Sequence, residues 1–327
     1  MATFIHSGSA FAQNLIGSPG AELVSGRLTV SPTDPVPVAD IAASDLLYLL
    51  PYKGNQVPVF NGTNWVFVTI PPAGVQFNAV TGTPFGGGGP GLAANTVYDV
   101  FLFSAAGTPT LELVAWATQN ARAIALAVLD GVYVRSTDTT RLYLGTVRTE
   151  VSAPGRFNDA PDGRYVWNYW NRVRRRNTAI SAAASWTNGV NNWSPIQGGV
   201  VEFIHPIVIG VSEDAVRCEV RSACNADTDG GQRKFGSVQI GVNSTTTPHA
   251  EATGGSAQLL VGGGGTAIQI FVMEAMYDSL PGIGLQTFYG LEVGFSIAPA
   301  PSYQRDITDP LYNTPTTIAG MTTTWWG

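Results

Sequence analysis

Three histidines, two cysteines and a handful of strand-borne acids are the residues through which this chain would do chemistry. The histidines are His6, His205 and His249. A Ser–His–Asp arrangement would rest on His205 or His249, and no Gly-x-Ser-x-Gly elbow accompanies either. His205 falls on the expected core face of a strand, which favours a structural role. Cys218 and Cys224 lie six residues apart on one expected strand. At about 3.4 Å per residue their Cα atoms stand roughly 20 Å apart. That distance excludes a disulfide and a shared metal, so core thiols are expected. No disulfide framework exists with two cysteines, and no zinc ligand set is assembled.

The stretch NADTDGG (225–231) matches the opening of a calcium loop at Asn225, Asp227, Asp229 and Gly230. Its twelfth position is Gly236, where an EF-hand carries a bidentate acid, and no helix flanks it. A polar turn is the simpler expectation. Asp99, Glu112, Glu202, Glu219, Glu274 and Glu292 fall on strands, and no two of them are singled out as a glycosidase pair. The glycine runs at 86–91 and 262–266 lack the Gly-Lys-Ser/Thr ending of a phosphate loop. No catalytic, cofactor or metal residue is therefore nominated, and the chain is not expected to be an enzyme. RVRRR (172–176) is the single basic cluster, read as a structural cap or ion-pairing run, with phosphate or nucleic-acid binding as the alternative. Trp186, Trp193, Trp325 and Trp326 suit sugar stacking where exposed and core packing where buried.

The elements that position these residues are read from pattern. Of 327 residues, only 12% are charged, while glycine numbers 38 and proline 21. Abundant turn formers with few charges fit a mainly β protein rather than a helical bundle. Asn61-Gly62 sits inside QVPVFNGTNWVFV (56–68), a strong hairpin signal. Further hairpins are expected around 105–107 and Asp130-Gly131. From 200 onward the chain alternates: Val201, Phe203, His205, Ile207, Ile209 and Val211 share one face, and Val216, Cys218, Val220, Ser222 and Cys224 share another. Runs at 236–244, 266–277 and 288–297 complete an antiparallel β-sandwich or jelly roll.

One amphipathic helix is expected near residues 163–177. Val166, Trp170 and Val173 recur at helical spacing, Asp162 stands at its start, and arginines close its end. Its aromatic residues occupy more than one face. That places Tyr165, Trp167, Tyr169, Trp170, Arg174 and Arg175 at a subunit or domain interface.

The expected organisation is an attachment arm (1–26), a β-rich part (27–177) and a C-terminal β-sandwich (178–327). A net charge of −6 excludes nucleic-acid binding by bulk electrostatics. No run reaches a membrane span, and residues 1–20 lack a secretory signal pattern. So low a charge favours association, since little repulsion keeps copies apart.

Several segments in order carry a resemblance: GRLTV (26–30), PVPVADI (35–41), LLYLLPYKGNQVPVFNGTNW (46–65), YDVFLF (98–103), LELVAW (111–116), RLYLGTVRT (141–149) and RYVWNYWNRVRR (164–175). Together they resemble a family of tailed-bacteriophage virion structural proteins, over roughly residues 26–177. The resemblance implies a tail fibre or appendage subunit, located in the virion and assembled in the bacterial cytoplasm. It implies a homotrimer with other virion proteins as partners. Host attachment through a surface glycan is the accompanying expectation. Capsid decoration, as a head fibre, is the alternative, and a capsular polysaccharide depolymerase a third. It carries over no catalytic residue.

Overall fold

The structure is a computed structural model. It describes residues 24–327 apart from 85–90, 152–154, 161, 189–190, 227–234, 259–268, 296–301, 305, 309–314 and 318. Of the expected arm (1–26), residues 1–23 lie outside the described residues, as do Asp227–Gly231 of the calcium-like turn, 86–90 of the first glycine run and all of the second. Residues 24–26 already belong to the body: Val24 is buried, and Gly26 opens the first strand.

The chain is mainly β, and its pairings are almost all antiparallel. The hairpin at Asn61-Gly62 pairs Gln56–Phe60 with Trp65–Thr69. Gly62 takes a positive φ of 99°, as such a turn demands. Val97–Ala105 and Thr108–Ala115 pair around Ala106-Gly107, both at positive φ. Leu126–Leu129 and Val132–Arg135 pair around Asp130-Gly131. Asp138–Arg148 joins these hairpins into one sheet.

Two larger sheets face each other to form a sandwich. One is built on Ile204–Ile209, Gly284–Phe295 and Phe235–Val242. The other is built on Arg174–Ile180, Gly320–Trp326, Val216–Ala226 and Gln269–Ser279. Val238, Ile240 and Phe288 from the first meet Cys218, Val220, Met273 and Met321 from the second. Along Val216–Ala226, Val216, Cys218, Val220 and Ser222 turn inward while Arg217, Glu219 and Arg221 turn out. Alternation of this kind is what a sheet with one wet face requires. Both cysteines lie on this one strand, so the separation that excludes their pairing holds.

Two expectations are corrected. No helix forms over 163–177. Instead Gly163–Arg164 and Val166–Asn168 are short strands, Asn171 takes a positive φ of 52°, and Arg174–Ile180 is an edge strand. The cause lies in where Val166–Asn168 runs. It pairs with Asp138–Arg148 between two hydrophobic clusters, so both faces must be apolar. A run buried on both faces loses its period of two, and short apolar runs then imitate a helix. The second correction is at residues 200–203. Val201–Phe203 is a 3-10 turn, the strand begins at Ile204, and Val201 is largely exposed.

Candidate functional site

Residues 165–170 form the seam between the two clusters. Val166 and Trp170 face the cluster that holds Leu28, Val100 and Leu144. Tyr165 and Trp167 face the one that holds Ile207 and Trp325. Tyr169 touches both. Its ring meets Tyr133 and Trp170 edge-on, with centroids 5.2 and 5.0 Å away. Each indole nitrogen finds a carbonyl: Trp170 Nε1 donates to Tyr143 O at 2.8 Å, and Trp167 Nε1 to Trp326 O at 2.9 Å. Buried indoles need such partners, and here they pin the seam to Asp138–Arg148 and to Gly320–Trp326, strands of two different sheets.

The arginines after the seam separate by strand alternation rather than by helical turn. Arg172, before the strand, meets Glu213 and Asp214. Arg175 points inward to Asp159. The side chains of Arg174 and Arg176 point outward and form no hydrogen bond or ion pair with any described residue. With Arg217, Glu219, Thr322 and Thr324 they line an open groove of about 440 Å³ on the outer sheet face. Trp326 stands on the same face, 46% exposed and directly opposite Arg174 in register, whereas Trp325 is buried. Neither Trp186 nor Trp193 is on that face. Trp186 Nε1 donates to Glu292, and Trp193 lines a separate depression with Asn191, Asn192 and Thr246.

His205 is buried, with Nδ1 2.9 Å from Thr323 Oγ1 across the sandwich. Thr323 Oγ1 in turn donates to Cys218 Sγ at 3.4 Å. Burial pulls the imidazole down to about 4 and pushes the thiol up to about 12. A neutral histidine beside a protonated, enclosed thiol has neither the thiolate nor the access that nucleophilic chemistry needs. This chain of contacts ties the two sheets together.

Four of the strand-borne acids are ion-paired. Asp99 meets Arg122, Glu112 meets Arg135 and Arg141, Glu219 meets Arg217, and Glu274 meets Arg221. Glu292 differs, because neutral donors hold it. Trp186 Nε1 lies at 2.7 Å and Gln197 N–H at 3.1 Å, and Asn188 also contributes. Burial raises its carboxyl to about 7. Sequence pattern alone offered no signal for this acid, since its donors come from residues about a hundred positions away. Trp326 was a candidate by type, and the strand Gly320–Trp326 that exposes it carries alternation of its own in GMTTTWW. Among the described residues no group of three or more His, Cys, Asp or Glu is placed to hold a metal ion.

No family model matches this chain, and no curated protein matches it. Among solved structures, the structure of infectious bursal disease virus Gt strain aligns at 13% identity and a TM-score of 0.15. That alignment covers 83% of this chain and 73% of the other. The Gx strain structure aligns at 12% identity and a TM-score of 0.12, covering 88% and 77%. Likeness at that level carries no argument about this chain.

Proposed function

We propose that this chain is a bacteriophage virion structural protein, a fibre- or spike-like appendage subunit displayed on the particle. The observation that carries the reading concerns the segments that resemble virion proteins. They contribute Leu28, Leu47, Val57, Tyr98, Leu111, Leu144, Val166 and Trp170 to one hydrophobic cluster. Pieces scattered over about 150 positions share this cluster, as parts of an inherited domain would, while Phe101, Tyr143, Tyr165 and Trp167 of the same segments face the second cluster. The low charge of 12% supports self-association, and the homotrimer follows the resemblance. The seam aromatics, the ion-paired acids and the enclosed histidine have packing or pairing partners within the fold, which fits an assembly role.

Peptide mass analysis of purified particles tests the reading. The chain is expected among the virion proteins, and cryo-electron density should place it on an external appendage. In dilute solution its mass should be three times 34.4 kDa. Absence from purified particles overturns the reading. Density over the shell lattice instead would move the protein to capsid decoration.

A further inference from the structure

We propose that the outward face of Arg174–Ile180, Gly320–Trp326 and Val216–Ala226 binds an acidic polysaccharide. The proposal goes beyond the virion reading in naming a ligand class, and rests on it only for where that ligand is met.

The first support is how the arginines are engaged. Nearly every arginine among the described residues is used internally. Arg27 donates to three main-chain carbonyls, Arg148 to Gln119 and Asn95, and Arg122, Arg135, Arg141, Arg156, Arg164, Arg172, Arg175, Arg217 and Arg221 each meet a carboxylate. Arg174 and Arg176 are the exceptions, and they sit side by side on one face. A chain with a net charge of −6 leaves two guanidinium groups unneutralised at a single place.

The second support is the lattice in which they are set. Alternate residues on a strand share a face about 7 Å apart, and neighbouring strands lie about 4.8 Å apart. Arg176, Thr324 and Arg217 therefore form one row across three strands. Arg174 and Trp326 begin the next row, and Thr178, Thr322 and Glu219 form the one on the other side. Cations thus recur along an edge strand and across the sheet, with threonine hydroxyls between them and an exposed indole at one end.

These groups match the parts of an acidic sugar chain. Guanidinium groups donate to carboxylates or sulfates in fixed directions. The threonine hydroxyls both donate and accept, as sugar hydroxyls do. The indole offers an apolar face to the carbon-bound side of a sugar ring. The groove is open to solvent along the sheet face, whereas a small cofactor takes an enclosed cavity. Single-stranded nucleic acid stacks successive bases on several aromatic rings, and this face exposes one.

The test measures binding of the purified full-length protein to a heparin oligosaccharide and to a polygalacturonate oligosaccharide, with neutral dextran and a single-stranded oligonucleotide alongside. At least one acidic sugar should bind at low salt and dissociate as salt rises, while dextran does not bind. The double variant Arg174→Ser, Arg176→Ser should weaken that binding by roughly tenfold or more. Its melting temperature should stay unchanged, because neither residue packs inward. Trp326→Ala should weaken it less, and Arg221→Ser, outside the groove, should leave it intact. Failure of both acidic sugars to bind, or binding that survives the double variant, overturns the site. Tighter binding of the oligonucleotide through the same arginines overturns the ligand class. All of this is read on isolated protein, so a negative result leaves the virion reading to the particle experiment.

Discussion

Arg175 Nη2 lies 2.7 Å from both carboxylate oxygens of Asp159, joining the edge strand of one sheet to the strand Phe157–Ala160 of the other. Asp159 is almost fully buried and takes a second, longer contact from Arg164 at 3.4 Å. Two cations on one enclosed carboxylate leave it little alternative partner. Removing Arg175 leaves the buried carboxylate with only the longer Arg164 contact, a loss toward the lower end of the about 3–5 kcal/mol that breaking a buried pair costs.

Arg175→Ala is accordingly expected to lower unfolding free energy by an amount toward the lower end of about 3–5 kcal/mol, read from urea denaturation. Arg221→Ala breaks an exposed pair with Glu274 and should cost less than about 1 kcal/mol. Equal costs for the two variants would contradict the burial argument.

At the seam, Trp170 fills the first cluster and is fixed by its bond to Tyr143 O. Trp170→Ala removes a large buried ring and leaves a cavity, at about 3–5 kcal/mol. Trp170→Phe keeps most of the volume and should recover more than half of that loss. Calorimetry of both variants checks the prediction. A Trp170→Ala protein that melts as the parent does would place the ring outside the core.

The mainly β class and most hairpins were legible in the sequence because turn chemistry is local. Asn61-Gly62 and Asp130-Gly131 specify their own geometry. Val166–Asn168 was not legible as a strand, although the aromatic load of residues 165–170 and their need for burial were. Their two faces serve two clusters, and that fact belongs to strands far away in the chain. The arginines illustrate the same limit. A helical reading sends Arg174 and Arg175 to neighbouring positions on one end, whereas strand alternation sends one outward and one to Asp159. Glu292 was visible only as an acid on a strand.

Gly145 runs tight against the backbone of the seam. A Cβ there would stand 2.2 Å from Trp167 O and 3.1 Å from a Leu28 methyl. The obstructing atom is main chain and cannot rotate away. Gly145→Ala should therefore destabilise by about 1–3 kcal/mol or more, as overpacking does. Gly62→Ala meets no neighbour and suffers only from its positive φ. Thermal melting should rank Gly145→Ala as the worse of the two.

The last prediction concerns two buried titrating groups with opposite signs. Glu292 has its carboxyl raised from 4.5 to about 7 by burial, against the pull of its neutral donors. Between those values the unfolded chain loses its proton while the folded one keeps it, so stability falls as pH rises. His205 has its imidazole lowered from 6.5 to about 4 by burial. Between those values the unfolded chain gains a proton that the folded one refuses, so stability rises with pH. Each shift is about 2.5 pH units, which corresponds to roughly 3 kcal/mol. The windows overlap from about 4.5 to 6.5, and there the two contributions oppose each other. Each substitution should therefore unmask the other group. In Glu292→Gln the amide oxygen can accept from only one of Trp186 and Gln197, whose bonds go to different carboxylate oxygens, but the titrating group is gone, and unfolding free energy should climb more steeply with pH across the overlap than in the parent. In His205→Gln it should climb less steeply than in the parent, or fall. Subtracting each variant's profile from the parent's isolates one group and cancels the surface carboxylates common to both. Denaturant unfolding at half-unit steps from pH 4 to pH 8 reads these slopes. Parallel profiles for parent and both variants would mean that neither group changes its proton affinity on folding.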